Sequence, residues 1–256
     1  MMRKIVKYVL GDIIRNKMVL VYTILLFVIS LSVFNIETNT SKGILSLLNI
    51  ILLIVPLTCI IFSTIYIYNS SEFIELLVSQ PIKRKTIWYS LYFGLVLSLS
   101  LAYIIGIGLP ALYYFPNAKG AMILIVGLFL TWVFVSIALL IAGSSRDKTK
   151  GIAIAIVSWL FFAIFYDILV LFILFQFQDY PLEGAMIVLS FLNPIDLSRI
   201  QLLLQIDAAA IIGYTGAVFK IFFGRGLGIL ICILCMCAWF LVPLWLSVKI
   251  FQKRDI

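Results

Sequence analysis

Very few residues of this chain are of the types that carry out chemistry. There is no histidine among its 256 residues, which removes the commonest general base and metal ligand. There is no Gly-Lys dipeptide either, which removes the phosphate-binding loop of P-loop ATPases. Cys232, Cys235 and Cys237 share one apolar run, and Cys59 lies in another. A buried helix does not direct three such sulfurs to one point, so we interpret the cysteines as packing residues. We expect no catalytic residue, no metal site and no cofactor.

Asp167 is an acidic side chain inside a long apolar run, in the stretch FFAIFYDILVLF. A carboxylate at the centre of a bilayer costs roughly 2.5–3.5 kcal/mol, and no basic residue lies in the same run. Asp167 must therefore face other helices or a partner protomer, be protonated, or be hydrated. It is either part of a transport or coupling pathway or a hydrogen-bonding clasp between helices. A single acid does not make a relay, which favours the clasp.

The apolar runs themselves predict a membrane protein. Hydrophobic residues make up 64% of the chain and charged residues 12%, with a mean hydropathy of +1.20, whereas soluble domains carry about 25% charged residues. We therefore predict an all-α, polytopic membrane protein with a single transmembrane domain, 1–256. Gly106, Gly108 and Pro110 are expected to bend the outer end of the third span. Six runs are long enough to cross a bilayer as helices: Met18–Phe34, Ile44–Tyr68, Ile87–Phe115, Ala121–Ala142, Ile152–Phe177 and Leu227–Val248.

The basic residues predict the orientation of these spans. Fourteen of the nineteen lysines and arginines lie on the side of the two termini. The positive-inside rule then places both termini in the cytoplasm. Topology and contact with anionic lipid account for the net charge of +8, so it does not indicate nucleic acid.

Two segments on the inner side have their own helical patterns. Residues 1–17 carry Ile5, Val6, Val9 and Ile13 on one helical face and basic side chains on the other, which predicts an interfacial helix on the inner leaflet. Residues 69–86 contain a short predicted helix. We expect Ser70 or Ser71 to cap its start and Pro81 to end it. This helix is typical of a segment that enters a groove of another protein, or else it packs under its own bundle. Its candidate contact residues are acidic or apolar: Glu72, Phe73, Glu75, Leu76 and Leu77.

The longest connection, residues 178–226, forms a cap on the outer side. In its stretch FLNPIDLSRI, Asn193 suits a helix cap, Pro194 the first helical position and Asp196 the positive helix end. Arg199 follows three residues later and can pair with Asp196. We predict a short helix that dips toward the bilayer, a break at Asn193-Pro194, and an amphipathic helix with an exposed polar face. The cap is either a lipid-interface helix that seals the bundle or a docking surface for an external partner.

These segments together resemble the ABC-2-type transporter permeases. SEFIELLVSQPIKRKTIWYSLYFG, SSRDKTKGIAIAIVSWLFFAIFYDILVL and FLNPIDLSRI resemble, in order along nearly the whole chain, the permeases of the NosY type. Those are the membrane subunits of the ABC transporter that matures nitrous oxide reductase. The first motif is general to ABC-2 permeases, whereas the Asp167 span and the Asn193-Pro194-x-Asp196-x-x-Arg199 motif are more specific.

The resemblance implies a complex in the bacterial inner membrane. It would contain a permease homodimer, an ATP-binding subunit docked on each 69–86 segment, and a periplasmic β-helical copper-site accessory protein docked on the outer cap. Its expected role is assembly of the copper–sulfur centre of the reductase, with the permease itself non-catalytic. The alternative is an ABC-2 exporter of another cargo, such as a lipid, a glycan, a drug or a gliding-motility component. An intramembrane enzyme would need converging nucleophiles, acids or metal ligands, which the sequence does not suggest.

Overall fold

The computed structural model of the protein describes residues 2–36, 40–177, 183–205 and 226–253, and every regular element in these ranges is a helix. The predicted all-α membrane fold is confirmed, since six helical stretches are long and apolar enough to span a bilayer. Residues 178–182 and 206–225 of the predicted cap lie outside the described residues, as do three basic residues of the charge count, Lys220, Arg225 and Arg254. The spans are Lys17–Ile36, Lys42–Asn69, Arg84–Tyr114, Lys119–Ser144, Lys148–Gln176 and Leu230–Lys253.

The N-terminal helix packs against protein rather than lipid. Helix α1 (Met2–Ile14) buries Ile5, Val9 and Ile13 against α5 (Arg84–Tyr103). The contact requires Gly94 of α5, since a Cβ atom there would overlap the Val9 side chain. The apolar face of α1, expected on the inner leaflet, is therefore covered by the third span.

The centre of the bundle is formed by the second, third, fourth and sixth spans. These are α3 (Thr40–Asn69), α5 with its extensions, α7 (Ala118–Ser144) and α12 (Gly226–Lys253), and their contacts enclose the main apolar core. Trp88 stacks on Phe251 with ring centroids 4.2 Å apart, and its indole N–H donates to Ser247 Oγ at 3.1 Å. These contacts fix the beginning of the third span to the end of the sixth span.

The third span is irregular where the glycines predicted a disturbance. After α5, residues Ile104–Gly108 form a π-helix, here π1, and α6 (Leu109–Tyr114) continues the span. The carbonyl of Gly106 accepts a hydrogen bond from Ser30 Oγ at 2.9 Å. Ser30 belongs to α2 (Lys17–Ile36), so the first span attaches at this irregular point.

The fifth span lies at the edge of the helical bundle. It consists of α8 (Lys148–Leu160), a second π-helix π2 (Phe161–Phe165), and α9 (Tyr166–Gln176). Only 6% of its most apolar 18-residue window is buried, against 67% for the third and fourth spans. Most of its apolar side chains therefore face away from the bundle.

A re-entrant helix pair follows the fifth span. Helix α10 (Glu183–Phe191) and helix α11 (Pro194–Gln205) meet at a bend of 117°. A bend beyond a right angle turns α11 back toward the side from which α10 came, so the pair enters the bundle and leaves it on the same side. The predicted break at Asn193-Pro194 lies at the tip of this re-entrant pair.

Candidate functional site

The short helix after the second span presents one face to solvent. Helix α4 (Ser71–Val78) follows Ser70, whose side chain makes no capping hydrogen bond. Glu72, Glu75 and Leu76 are exposed, and their spacing of three and four residues places them on one face. We call these three residues the α4 stripe.

Two of the five predicted contact residues of α4 point inward. Leu77 is buried, being only 8% exposed, so it does not lie on the accessible face of α4. Phe73 is half-buried and stacks on Tyr8 of α1, with ring centroids 4.9 Å apart. Both side chains attach α4 to the bundle and leave the stripe as its accessible surface.

The corner between α3 and α4 is attached to the start of the fifth span. Lys148 Nζ donates to Asn69 Oδ1 at 2.7 Å, and the Tyr68 hydroxyl donates to the Ser145 carbonyl at 3.1 Å. The Tyr68 ring lies against Gly151, where a Cβ atom would overlap it. We call these contacts the inner junction.

Helix α8 begins within this junction. The Asp147 side chain accepts a hydrogen bond from the Thr149 N–H at 2.8 Å, which caps the helix. Since Lys148 is the first residue of α8, the cap fixes the direction in which the span leaves the corner. The sequence indicated a basic loop here, but not its attachment to Asn69 and Tyr68.

Asn193 connects the tip of the re-entrant pair to the middle of the fifth span. Its Oδ1 accepts from the Ile195 N–H at 3.0 Å, which caps α11, and its Nδ2 donates to the Phe162 carbonyl in π2 at 2.9 Å. Asn193 is fully buried. Because Phe162 lies midway along the span Lys148–Gln176, the tip lies at the depth of the middle of the membrane.

Arg199 binds both carboxylates of this region. It lies 2.9 Å from Asp196, as the three-residue spacing predicted, and 3.0 Å from Asp167 of the fifth span. Asn193 Nδ2 also donates to Asp196 Oδ2 at 3.2 Å. Asp167 and Arg199 keep about a third of their side-chain surface exposed, and Asp196 keeps 15%. We call these four residues the outer cluster.

The outer cluster corrects one expectation from the sequence. Asn193, Asp196 and Arg199 were predicted to present an exposed polar face on the cap, but Asn193 is buried and Arg199 is directed to Asp167. Pro194 is buried as well. The motif joins two parts of the same protomer, and Asp167 is paired across helices in the manner of a clasp.

Two backbone carbonyls at the end of α10 accept hydrogen bonds from neighbouring spans. At the C-terminal end of α10, the Leu189 carbonyl accepts from the Tyr166 hydroxyl at 2.6 Å and the Phe191 carbonyl accepts from Trp239 Nε1 at 3.0 Å. The last carbonyls of a helix have no partner within it, and in lipid each needs one. Neither Tyr166 nor Trp239 was predicted as a partner from the sequence, although a polar-tipped aromatic side chain inside a span usually has such a partner.

Two of the four cysteines are buried among packed side chains. Cys232 is buried beside Leu197, Ile200 and Met236, and Cys59 is buried in the main core. In the described part of the chain, no three His, Cys, Asp or Glu residues come together in a metal-binding arrangement.

Comparison with known proteins agrees with this architecture. The family described as ABC-2 family transporter protein matches residues 4–256. A probable ABC transporter permease protein NosY of Stutzerimonas stutzeri is 25% identical to this chain over 268 aligned positions, covering 96% of this chain and 95% of its own length. The protein of the same name in Pseudomonas aeruginosa is 27% identical over 222 positions, covering 78% and 81%.

Family, spans and relatives lead to one assignment. ABC-2 permeases are the membrane subunits of transporters that work with an ABC ATP-binding partner. The six apolar helices make this chain a multi-pass membrane protein. The chain belongs to the ABC-2 family of transporter proteins and is a NosY-like ABC transporter permease subunit.

Proposed function

We propose that this chain is the permease of the ABC transporter that matures nitrous oxide reductase by supporting assembly of its copper–sulfur centre. It would couple ATP hydrolysis in a partner subunit either to transport or to motion of a periplasmic partner. Support comes from two relatives named NosY that align over most of this chain. The Asp167 span and the Asn193–Arg199 motif, which resemble that group of permeases, support the same role.

The observation that carries the coupling proposal is the attachment of the fifth span at two depths. At its inner end, Lys148 and Gly151 are in contact with the α3–α4 corner through Asn69 and Tyr68. Farther out, π2 and Asp167 are bonded to Asn193 and Arg199 of the re-entrant pair. Between these points the span packs on α3, where Trp159 Nε1 donates to the Leu53 carbonyl at 3.2 Å. A movement of the α4 corner would thus be passed to the re-entrant pair by the fifth span together with α3.

The inner side of this arrangement would dock the ATP-binding subunit. The excess of lysine and arginine on the side of the termini favours the cytoplasm of a bacterial inner membrane for this side. Within it, the α4 stripe combines two carboxylates with the exposed Leu76 side chain. A small acidic and apolar helical surface fits a groove that has basic residues at its rim.

The periplasmic β-helical copper-site accessory protein would dock on the outer ends of the re-entrant pair. Asn193, Pro194, Asp196 and Arg199 would then position those ends rather than contact the accessory protein, because the motif lies at membrane depth. This changes the role of the motif but keeps the cap as the docking region.

We also propose that the permease is a homodimer that packs through the fifth span. The exposed side chains of that span recur at spacings of mostly three and four residues, which is typical of a helix that packs on another helix. A second copy placed here would cover a span that the protomer leaves largely uncovered. The most exposed members of this stripe are Val157, Phe165, Ile168, Phe172 and Phe175.

The maturation role is tested by deleting the gene in the organism that encodes the chain. We expect nitrous oxide reductase to accumulate without its copper–sulfur centre, measured by copper content and visible absorption of the purified enzyme. The wild-type gene should restore the centre. A reductase with a normal centre in the deletion strain would contradict this role and favour an ABC-2 exporter of another cargo. Co-purification of the ATP-binding subunit with the chain tests the transporter assignment separately.

A further inference from the structure

An apolar groove runs between the first and second spans. It has a volume of about 600 Å³ and is lined almost entirely by apolar side chains of α2 and α3, with Leu99 of α5 at its floor. The one polar group of its α3 wall, the Thr58 hydroxyl, donates to the Ile54 carbonyl of its own helix at 2.7 Å. The wall therefore offers an occupant apolar contact only.

Lys17 lies at the end of the groove nearest the N-terminus. It is the first residue of α2 and is exposed, and among the described residues no carboxylate pairs with it. The neighbouring Arg15 is exposed as well. The groove thus combines an apolar wall with a positive charge at one end, which is the complement of a phospholipid with an anionic headgroup.

The depth of the groove fits one leaflet. Its α2 wall extends from Lys17 to Leu25, and the helical rise between these two residues is about 12 Å. Half of the hydrocarbon core of a bilayer is about 15 Å thick. An acyl chain that begins at the level of Lys17 therefore ends close to the end of the groove.

We propose that this groove is a binding site for one anionic phospholipid of the leaflet in which the first span begins. Its phosphate binds Lys17, and one of its acyl chains lies between α2 and α3. The site is separate from the inner junction and the outer cluster, and it does not depend on what the transporter carries. Lipid bound at this site makes the packing of the first span against the second span depend on the headgroup composition of the membrane.

The test uses the full purified chain and an equimolar mixture of phosphatidylglycerol and phosphatidylcholine with the same acyl chains. Native mass spectrometry counts the lipids that stay bound. We expect the wild type to retain one phosphatidylglycerol in preference. Lys17→Gln should lower that preference about five-fold, the effect of one basic residue near a membrane surface. Lys42→Gln, at the far end of α3, is the matched control and should change nothing.

Two further variants test the groove itself. Leu25→Trp and Ile61→Trp fill it from opposite walls and should reduce retention of both lipids, and thermal unfolding shows which of them is folded. An unchanged headgroup preference in Lys17→Gln overturns the phosphate contact. Full lipid retention in the folded tryptophan variants overturns the site. Conversion of dimers to monomers with unchanged lipid retention would overturn it in favour of a second copy in the groove.

Discussion

The carboxylate of Asp167 and the guanidinium of Arg199 lie 3.0 Å apart and join the fifth span to the second helix of the re-entrant pair. Arg199 also binds Asp196 at 2.9 Å, so one guanidinium serves two carboxylates. With both acids ionised, the three side chains carry one net negative charge in a region that is only partly exposed. This net charge, together with the hydrogen bonds to Arg199, decides which substitutions the outer cluster tolerates.

Replacing Asp167 tests the cluster by charge and by hydrogen bonding. Asp167→Asn leaves an oxygen that accepts from Arg199 and brings the net charge of the cluster to zero, so we expect little loss of stability. Asp167→Leu removes the acceptor and should cost about 2 kcal/mol, the usual value for a hydrogen bond to a charged group. Thermal unfolding of the purified variants in one detergent measures the difference. Equal destabilisation by Asn and Leu would contradict the importance of the acceptor.

Asp167→Asn also distinguishes two roles of Asp167, a structural clasp between helices and a residue of a transport or coupling pathway. Suppose that the variant folds normally and its partner hydrolyses ATP normally, but the reductase lacks its copper–sulfur centre. Maturation then includes a step that requires the charge of Asp167. A clasp alone predicts normal maturation in this variant.

Reversing the charge of Arg199 should be far more damaging than a surface substitution. Arg199→Glu brings three carboxylates together at membrane depth, and we expect the re-entrant pair to lose its attachment, with increased proteolysis between Glu183 and Gln205. Combining Arg199→Asp with Asp167→Arg returns one cation between two acids and should restore protease resistance in part. Arg199→Lys keeps the charge but not the fork that reaches both acids, so it should be intermediate. If the double exchange does not restore protease resistance, Asp167 and Arg199 are not energetically coupled.

Leu76 is exposed and Leu77 is buried, so the two residues of α4 should separate docking from stability. Leu76→Asp changes an exposed side chain and should release the ATP-binding subunit in pull-down assays without lowering the unfolding temperature. Leu77→Ala empties a buried position and should cost about 2–5 kcal/mol of stability, while the remaining folded protein still binds the subunit. Release by Leu77→Ala and not by Leu76→Asp would place the contact on the other face.

Gly151→Ala tests the inner junction. A Cβ atom at this position overlaps the Tyr68 ring, so Tyr68 must move and the Tyr68–Ser145 hydrogen bond should be lost. On the proposed coupling, the ATP-binding subunit still binds, but its ATPase activity no longer leads to maturation of the reductase. Gly11→Ala is the matched control, because nothing lies within 4 Å of its added Cβ. Normal maturation with Gly151→Ala would show that the junction does not transmit motion.

Cysteine cross-linking tests the proposed homodimer. In a background in which the four native cysteines are replaced by serine, Ile168→Cys or Phe172→Cys should form disulfide-linked dimers in membranes. Val28→Cys, on an exposed part of the first span, is the control and should not. Cross-linking of Val28→Cys alone would place the dimer interface on the first span.

The spans and the tip of the re-entrant pair were predictable because each has a local cause. Apolar runs of sufficient length become spanning helices in any context, and Asn193-Pro194 interrupts a helix by its own backbone chemistry. The pairing of Asp167 with Arg199 has no local signal, since the two residues belong to separate helices brought together by the fold. The π-helix of the fifth span was not predicted, because no glycine or proline marks its position, whereas Gly106 and Gly108 predicted an irregularity where the first π-helix lies.

The face of α4 was only partly predictable. Apolar residues occur on both sides of this eight-residue helix, so periodicity does not decide between Leu76 and Leu77. Tertiary packing decides it, through Phe73 on Tyr8 and Leu77 against the bundle. The amphipathic pattern of α1 was read correctly, but the partner of its apolar face was not, since a covering helix and a lipid surface favour the same side chains.

The second π-helix sets the rotational phase of the fifth span. A π-turn acts as one extra residue within an α-helix, and each residue turns the helix by about 100°. Everything beyond Phe165, including Asp167, is rotated by that amount relative to an uninterrupted helix. Deleting Ala163 would remove the extra residue, return the turn to α-helical geometry and leave the carboxylate of Asp167 directed at Arg199. Inserting one residue there would rotate the carboxylate away from Arg199 instead. This span should therefore accept the loss of a single residue between Phe161 and Phe165 while rejecting the gain of one.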